Sequence, residues 1–229
     1  MHVDDAIQSR KSVRRFLPTP VEETVVRHIL DVSARAPSGN NVQPWRVYVL
    51  AGEQRSRLCR DIVAAAAGDP DHHQPEYAYY PTNWFEPYLE RRRRCGFGLY
   101  ATLGIARDDM AARQQQMLRN YTFFDAPVGM LVTLDRRLNT GSFMDVGMFI
   151  QNILVAARAQ GLHTCAQAAF AWFHKIARAH LPMTDNEMLL CGIALGHEDT
   201  GAPENAFITE RAAVDEYSSF HGFAGQAQR

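Results

Sequence analysis

Two short segments near the N-terminus contain the residues best suited to chemistry. The first, residues 10–16, surrounds the hydroxyl of Ser12 with the cations Arg10, Lys11 and Arg14. Guanidinium groups, a hydroxyl and free backbone N–H groups are the donors that a phosphate group requires. Clustered cations are also common on a solvated surface, and the motif alone leaves that alternative open.

The second segment, residues 36–45, contains two prolines, one glycine, one serine and two asparagines. Such a composition predicts a rigid loop rich in hydrogen-bond donors, because it cannot form a helix interior or a central strand. A purely structural turn is the alternative. Together the two segments suit a phosphorylated planar cofactor better than a metal ion or a sugar.

The overall composition indicates one ordinary globular domain. The chain has 229 residues, of which 46% are hydrophobic, and a formal net charge of −1. This size permits one large domain with a substantial core. The near-neutral charge predicts no bulk attraction to nucleic acid or to an anionic membrane surface.

The cysteines and the chain start predict a metal-free cytoplasmic protein. The four cysteines form no CxxC pair and no ligand-spaced cluster with histidine, so reduced thiols are the expectation. The N-terminus resembles no signal peptide, and no run approaches the ~18 apolar residues of a membrane span.

Helices and short strands alternate along the chain. Apolar spacing predicts strands over 46–50, 128–134, 164–169 and 188–195, and helices over 3–8, 22–36, 53–67, 89–103, 110–120, 143–160 and 172–180. Residues 68–88 lose this periodicity and are rich in aromatic side chains, which predicts a long functional loop. No glycine-rich turn follows a strand, and a Rossmann domain is therefore disfavoured.

The two N-terminal motifs, with the amphipathic stretch 22–36 between them, resemble the nitroreductase family of flavoproteins. The resemblance continues through residues 124–128, 145–152, 161–165 and 208–211, and so covers nearly the whole chain. Residues 86–92 and 99–107 are similar to the subgroup of bacterial nitrobenzoate reductases. The resemblance implies an α+β fold in which a mixed central sheet is flanked by helices, within an intertwined homodimer. The domain would span 1–229, with a lid at about 68–120 and a tail at about 202–229.

The resemblance also implies which residues bind FMN at the dimer interface. Arg10 and Ser12 would hold the phosphate with Lys11 beside them, Arg14 would lie toward the pyrimidine end, and Arg211 would complete the phosphate site. The opposite subunit would contribute Pro37, Ser38, Gly39 and Asn41. The backbone N–H groups of Gln167 and Ala168 would lie near flavin N5, although the sequence departs here from the wider family pattern. Trp84, Tyr88, Phe123 and Phe124 are the candidates for stacking on an aromatic acceptor.

By the same resemblance, the chain would be an FMN-dependent NAD(P)H oxidoreductase with ping-pong, two-electron reduction of nitroaromatic, nitrobenzoate-like or quinone acceptors. The flavin carries the chemistry, so no catalytic side chain is assigned. The alternatives are reductive dehalogenation, enone reduction or flavin fragmentation on the same fold, or a flavin-binding protein without turnover.

The run Arg91-Arg92-Arg93-Arg94 has two interpretations. A charged helix end with internal ion pairs is favoured over nucleic-acid binding, because four consecutive residues point to all sides of a helix. The sharper alternative is that one of these arginines meets a carboxylate on an aromatic substrate.

Overall fold

The computed structural model describes residues 1–223 and contains one four-stranded sheet. The strands are β1 (Trp45–Ala51), β2 (Val128–Asp135), β3 (His163–Gln167) and β4 (Glu187–Gly196), arranged in the order β1-β2-β4-β3. All three strand pairings are antiparallel. A single parallel bridge joins Ser12 to Thr164 at the β3 edge, and the mixed character of the sheet is limited to this bridge.

Helices flank this sheet, which confirms the α+β class. Within the described residues they are α1 (Val3–Ser9), α2 (Glu23–Ser33), α3 (Gly52–Gly68), α4 (Tyr88–Thr102), α5 (Met110–Leu118), α6 (Thr140–Ala159), α7 (His174–His180), α8 (Pro203–Ala206) and α9 (Val214–Tyr217). Among residues 1–223, no helix combines the length and the apolar character that a membrane span requires.

The core lies on both faces of the sheet because alternate residues of each strand point to opposite sides. Every residue of β4 is buried, as expected for a strand between β2 and β3. On one face, Leu131 packs in a cluster that includes residues of α3 and α7. On the other face, Val132 packs in a cluster that includes residues of α2 and α6. Strand β3, the sheet edge that pairs with the N-terminal segment, is thereby held by packing on both faces of the sheet.

The segment that follows α5 differs from its prediction. The expected helix 110–120 ends at Leu118, and a 3-10 segment, Arg119–Asp125, follows. Its residues Phe123, Phe124 and Asp125 have φ angles of 54°, 54° and 70°. Side chains other than glycine rarely adopt this left-handed conformation. Hydrophobic spacing could not reveal it, because burial of the two rings offsets the backbone cost.

The structure contradicts the predicted stacking role of Phe123 and Phe124. The side chain of Phe123 is 0% exposed and stacks on Phe170 with a centroid distance of 4.3 Å. The ring also lies against Gly129, where a Cβ atom would have no room. Phe124 is buried in the same cluster. Neither ring has a face free for an acceptor.

The C-terminal tail lies on its own chain rather than standing free. The ring of Phe207 fills the space in front of Gly98 on α4. Residues beyond Ala202 form the short helices α8 and α9 within an otherwise irregular path. The part of the predicted tail at 224–229 lies outside the described residues.

Replacement of Phe123 by alanine tests its assignment to the core. We expect Phe123→Ala to lower the free energy of unfolding by ~3–5 kcal/mol, because it opens a cavity between Phe170 and β2. Phe85→Ala, at an exposed ring, is the matched control and should change that free energy by less than ~0.5 kcal/mol. Urea denaturation at one fixed protein concentration measures both values. Equal losses in the two variants would contradict the assignment.

Candidate functional site

Arg10 and Arg211 bring two positive charges together from opposite ends of the chain. Burial lowers the pKa of the Arg10 guanidinium, and the nearby charge of Arg211 lowers this pKa further. Across residues 1–223, neither arginine forms an ion pair with a carboxylate. Within the same residues, Arg211 donates only to the carbonyl and hydroxyl oxygens of Thr209 and to the carbonyl oxygen of Glu210. Two adjacent cations without a counter-charge repel each other. The arrangement leaves this positive charge unbalanced within residues 1–223.

Strand β3 positions the rest of this cluster, which we call the cation clamp (Arg10, Ser12, Arg14 and Arg211). The N–H of Val13 donates to the Thr164 carbonyl at 3.1 Å, next to the Ser12–Thr164 bridge. Arg14 Nη1 donates to the carbonyl of Ser12 at 3.3 Å. The sheet edge thus fixes the backbone of this segment. The positions from which the Ser12 hydroxyl and the Arg14 guanidinium extend are consequently fixed as well.

Cys165 lies beneath the clamp as a buried thiol. Burial raises its pKa, while the charge of Arg14, a hydrogen bond with Ser12 and the charge of Arg10 act in the opposite direction. The geometric contact of the thiol is with the carbonyl of Ala166, at 3.8 Å from Sγ. The thiol stays protonated near neutral pH and serves as packing.

Lys11 is placed differently from its prediction. Its Nζ lies 2.6 Å from Glu198 Oε1 and donates to the carbonyl of Asn205 at 2.7 Å. The same carboxylate meets His163 Nε2 at 3.2 Å. Because Glu198 already balances the charge of Lys11, this ammonium does not add an unpaired charge to the clamp.

Asn205, which sequence reasoning missed, holds the N-terminal segment in place. Its Oδ1 accepts from the N–H of Arg14 at 2.7 Å, and its Nδ2 donates to the carbonyls of Arg15 and Asp199 at 2.8 and 2.9 Å. The side chain is buried. An asparagine in an irregular tail gives no motif signal, because its partners Arg14 and Arg15 are 191 and 190 positions away in the sequence.

A buried carboxylate adds a second attachment between the chain ends. Glu204 Oε1 lies 3.3 Å from Arg15 Nε and accepts a hydrogen bond from Arg119. Burial by itself would raise the pKa of Glu204, but its hydrogen bonds and the charges of Arg119 and Arg15 hold that pKa below its usual value. The carboxylate is consequently ionised and paired near neutral pH.

The loop around Gly39 is ordered by its own contacts. Asn40, Asn41 and Gln43 have φ angles of 49°, 59° and 50°. The N–H of Gln43 donates to Ser38 Oγ at 3.0 Å, and the N–H of Gly39 donates to Asp145 Oδ2 at 3.3 Å. Pro37, Gly39 and Asn41 are exposed. In the part of the chain that the structure describes, no hydrogen bond joins this loop to residues 10–16.

Gln167 and Ala168 lie where β3 ends and the 3-10 segment Ala168–Phe173 begins. Gln167 Nε2 donates to the carbonyl of Asn120 at 2.6 Å, while its Oε1 is buried without a hydrogen-bond partner. The side chain thus ties β3 to the segment before Phe123. Since Thr164 is three residues upstream, this turn is ~10 Å from the clamp along the strand.

The model of the nitroreductase family matches residues 7–197. The chain belongs to the nitroreductase family. The resemblance drawn from the sequence motifs is thereby confirmed.

Two curated relatives of this nitroreductase cover nearly its whole length. A nitrobenzene nitroreductase from Ectopseudomonas oleovorans is 39% identical over 218 residues, which are 95% of this chain and 96% of the relative. A 4-nitrobenzoate reductase from Nocardioides sp. (strain LMS-CY) is 40% identical over 220 residues, 95% of this chain and 89% of the relative. The similarity to nitrobenzoate reductases is thus also confirmed.

The fold of this nitroreductase is similar to that of a solved enzyme. The crystal structure of the FMN-dependent nitroreductase NfnB from Mycobacterium smegmatis, in complex with NADPH, has a TM-score of 0.90 and 31% identity. The match covers 95% of this chain and 96% of that chain. The nitroreductase fold expected from the motifs is therefore confirmed.

Trp84 of the nitroreductase is half-buried and precedes α4, and Tyr88 begins that helix. The guanidinium carbon of Arg92 is 4.8 Å from the centroid of the Trp84 ring, and Tyr80 packs on the same indole at 5.3 Å. Tyr88, the first residue of α4, is exposed. Unlike Phe123 and Phe124, the ring of Tyr88 is exposed, whereas Trp84 is half-buried among these neighbours.

The Arg91–Arg94 run behaves as a charged helix face. Arg94 pairs with Glu210 at 2.9 Å and with Glu90 at 3.4 Å, and Arg91 pairs with Glu216 at 3.5 Å. The favoured interpretation from the sequence is confirmed for these two arginines. The pairs with Glu210 and Glu216 join the tail to α4 next to Arg211. Exposed ion pairs of this type contribute little to the free energy of unfolding.

The cysteines and histidines give no further site in the described residues. All four cysteines are free, and three of them are buried. No group of three or more His, Cys, Asp or Glu side chains in residues 1–223 is arranged to hold a metal ion.

Proposed function

We propose that this nitroreductase is an FMN-dependent NAD(P)H oxidoreductase that reduces nitroaromatic acceptors as a homodimer. The observation that carries the proposal is the unbalanced positive charge of Arg10 and Arg211. Its relatives supply the substrate class, since they are named for nitrobenzene and 4-nitrobenzoate. The solved NfnB structure, described as FMN-dependent and bound to NADPH, supports the cofactor and the reductant.

The donor set of the clamp fits the phosphate of FMN. A phosphate dianion would remove the repulsion between Arg10 and Arg211, and the Ser12 hydroxyl adds a neutral donor beside them. When bound, FMN supplies hydride transfer between the nicotinamide and the acceptor. Lys11 would stabilise the segment through Glu198 rather than bind the phosphate directly.

Other residues would orient the cofactor along β3. Arg14 would place a positive charge near the pyrimidine end of the ring, where it stabilises negative charge. The N–H groups of Gln167 and Ala168, ~10 Å further along the strand, would donate near N5. Residues 68–120 would form the lid, with Trp84 and Tyr88 excluding water and stacking on the acceptor.

A second copy of the chain would complete the site. Met144 and Met148 on α6 are 69% and 38% exposed, and Val3 and Ile7 on the neighbouring α1 are 59% and 50% exposed. A contiguous apolar patch of this kind is typical of a protein interface. We propose that this face joins two subunits, and that Pro37, Ser38, Gly39 and Asn41 of each contact the FMN of the other.

The proposed reaction predicts a redox cycle that can be followed by flavin absorbance. Without oxygen, NADPH or NADH should bleach the absorbance of the purified protein, because the nicotinamide reduces the flavin. After removal of the nicotinamide, nitrobenzene or 4-nitrobenzoate should restore the absorbance. Toluene and benzoate, which lack the nitro group, are the controls and should not. If no nitro compound reoxidises the protein, the proposal fails.

Removal of a clamp charge should weaken FMN binding without harming the fold. We expect Arg10→Gln and Arg211→Gln each to raise the Kd for FMN about 10- to 100-fold, since each removes a charge-assisted hydrogen bond. Without FMN, Arg10→Gln should leave the free energy of unfolding unchanged or raise it, because cation repulsion is relieved. Fluorescence titration and urea denaturation measure the two quantities.

Arg35→Gln is the matched control for the clamp variants. Arg35 is exposed and has no ion pair within residues 1–223, so its replacement should leave the Kd for FMN within about twofold. Unchanged FMN affinity in both clamp variants would refute the assignment of the phosphate site.

The proposed subunit interface predicts that charge on α6 separates the subunits. Met144→Asp and Met148→Asp together should convert a dimer to a monomer, because each buries a carboxylate in an apolar interface. Met110→Asp, at an equally exposed methionine on α5, is the control and should stay dimeric. Sedimentation velocity distinguishes the species. A monomeric wild-type protein with FMN bound would exclude this role for the face.

A further inference from the structure

A cavity between α4 and α5 lies outside the cation clamp. Its volume is about 230 Å³, and it is lined by Phe97, Tyr100, Ala101, Ile105, Arg107 and Arg113. An apolar cavity of about 150 Å³ is large enough to hold benzene. The cavity therefore has room for one aromatic ring with a small substituent, but is smaller than the sites that accept drug-sized ligands.

Two arginines at this cavity lie over aromatic rings. The guanidinium carbon of Arg107 lies 4.2 Å from the centroid of Phe97, and that of Arg113 lies 5.1 Å from the centroid of Tyr100. Stacking fixes the plane of a guanidinium while its N–H edge stays free to donate. The cavity thus combines apolar walls with oriented cationic donors.

No protein carboxylate neutralises these two cations within residues 1–223. Arg113 Nη1 donates to the carbonyl of Arg107 at 2.9 Å, which fixes the two residues relative to each other, and the guanidinium of Arg107 makes no hydrogen bond to a described residue. Asp109 is occupied in capping α5, where it accepts from the N–H of Ala112 at 2.9 Å. Asp108, the nearest other acid in sequence, pairs with neither arginine.

From these contacts we infer that the cavity binds a single-ring aromatic carboxylate. The ring enters between Phe97 and Ile105, and the carboxylate accepts hydrogen bonds from Arg107 and Arg113. Such charge-assisted pairs are strong and directional. This location differs from the Arg91–Arg94 run, where Arg91 and Arg94 already meet Glu216 and Glu210. Binding here does not depend on the proposed reduction.

Calorimetric titration of the purified FMN-loaded protein with benzoate tests the inference. Benzoate should bind the wild type, and Arg107→Gln and Arg113→Gln should each raise its Kd at least about tenfold. Arg93→Gln is the matched control, an exposed arginine on α4 whose loss should change the Kd by no more than about twofold. Absence of benzoate binding to the wild type, or equal binding in both cavity variants, would overturn the inference.

A second variant tests the space for the ring independently of the two arginine charges. Ala101→Phe leaves both arginines in place but fills the space for the ring, so benzoate binding should be lost. Toluene, which has the ring without the charge, should bind much more weakly than benzoate. If benzoate still binds Ala101→Phe as tightly as the wild type, the ring does not occupy the cavity and the inference is wrong.

Steady-state kinetics then distinguish a bound carboxylate that is a reducible acceptor from one that is not reduced. If the ligand is a reducible acceptor, Arg107→Gln should raise KM for 4-nitrobenzoate about tenfold and leave KM for nitrobenzene unchanged. If the ligand is an aromatic acid that is not reduced, benzoate binding should be lost while both KM values stay constant. The benzoate titration remains interpretable even if no nitro compound is reduced, so failure of the proposed function would be recognised separately.

Discussion

The site depends on one constraint, which is that the two ends of the chain are held together by buried polar contacts. Asn205 satisfies the N–H of Arg14 and the carbonyl of Arg15, and the parallel bridge fixes Ser12 to β3. A buried amide with all its partners present stabilises one arrangement strongly, because any other arrangement leaves polar groups unpaired. The clamp exists only while these contacts keep residues 10–16 against the sheet edge.

The distribution of carboxylates around this region explains why some cations are available and others are not. Glu198 balances Lys11, while Glu204 balances Arg15 and Arg119. Arg10 and Arg211 receive no such partner within the described residues, although Glu210 is adjacent in sequence, because Glu210 pairs with Arg94 on α4. The fold thus leaves the positive charge of this pair uncompensated, which is the electrostatic condition for binding an anion. The same reasoning applies to Arg107 and Arg113, whose charges are balanced by no described acid.

Hydrophobic spacing predicted the regular elements well. The strand expected over 188–195 is Glu187–Gly196, and the helix expected over 143–160 is Thr140–Ala159. These elements bury long apolar runs, so the periodicity that local packing requires is visible in the sequence. Prediction failed where tertiary contacts override local preference, as in Arg119–Asp125, where consecutive left-handed residues turn two phenylalanine rings inward. Aromatic composition could not distinguish Phe123 in the core from Tyr88 at the surface.

The amino-acid sequence by itself determined the family and the α+β class, because these follow from short motifs and from local periodicity. The tertiary structure alone decided which of these cations have a carboxylate partner among residues 1–223: Lys11 is neutralised by Glu198, whereas Arg10 is influenced by the like charge of Arg211 from the other end of the chain. It also decided that Asn205 holds the N-terminal segment and that Arg107 and Arg113 border one cavity. The physical reason is that the net charge and accessibility of a side chain depend on neighbours brought close by folding, and sequence separation does not encode them.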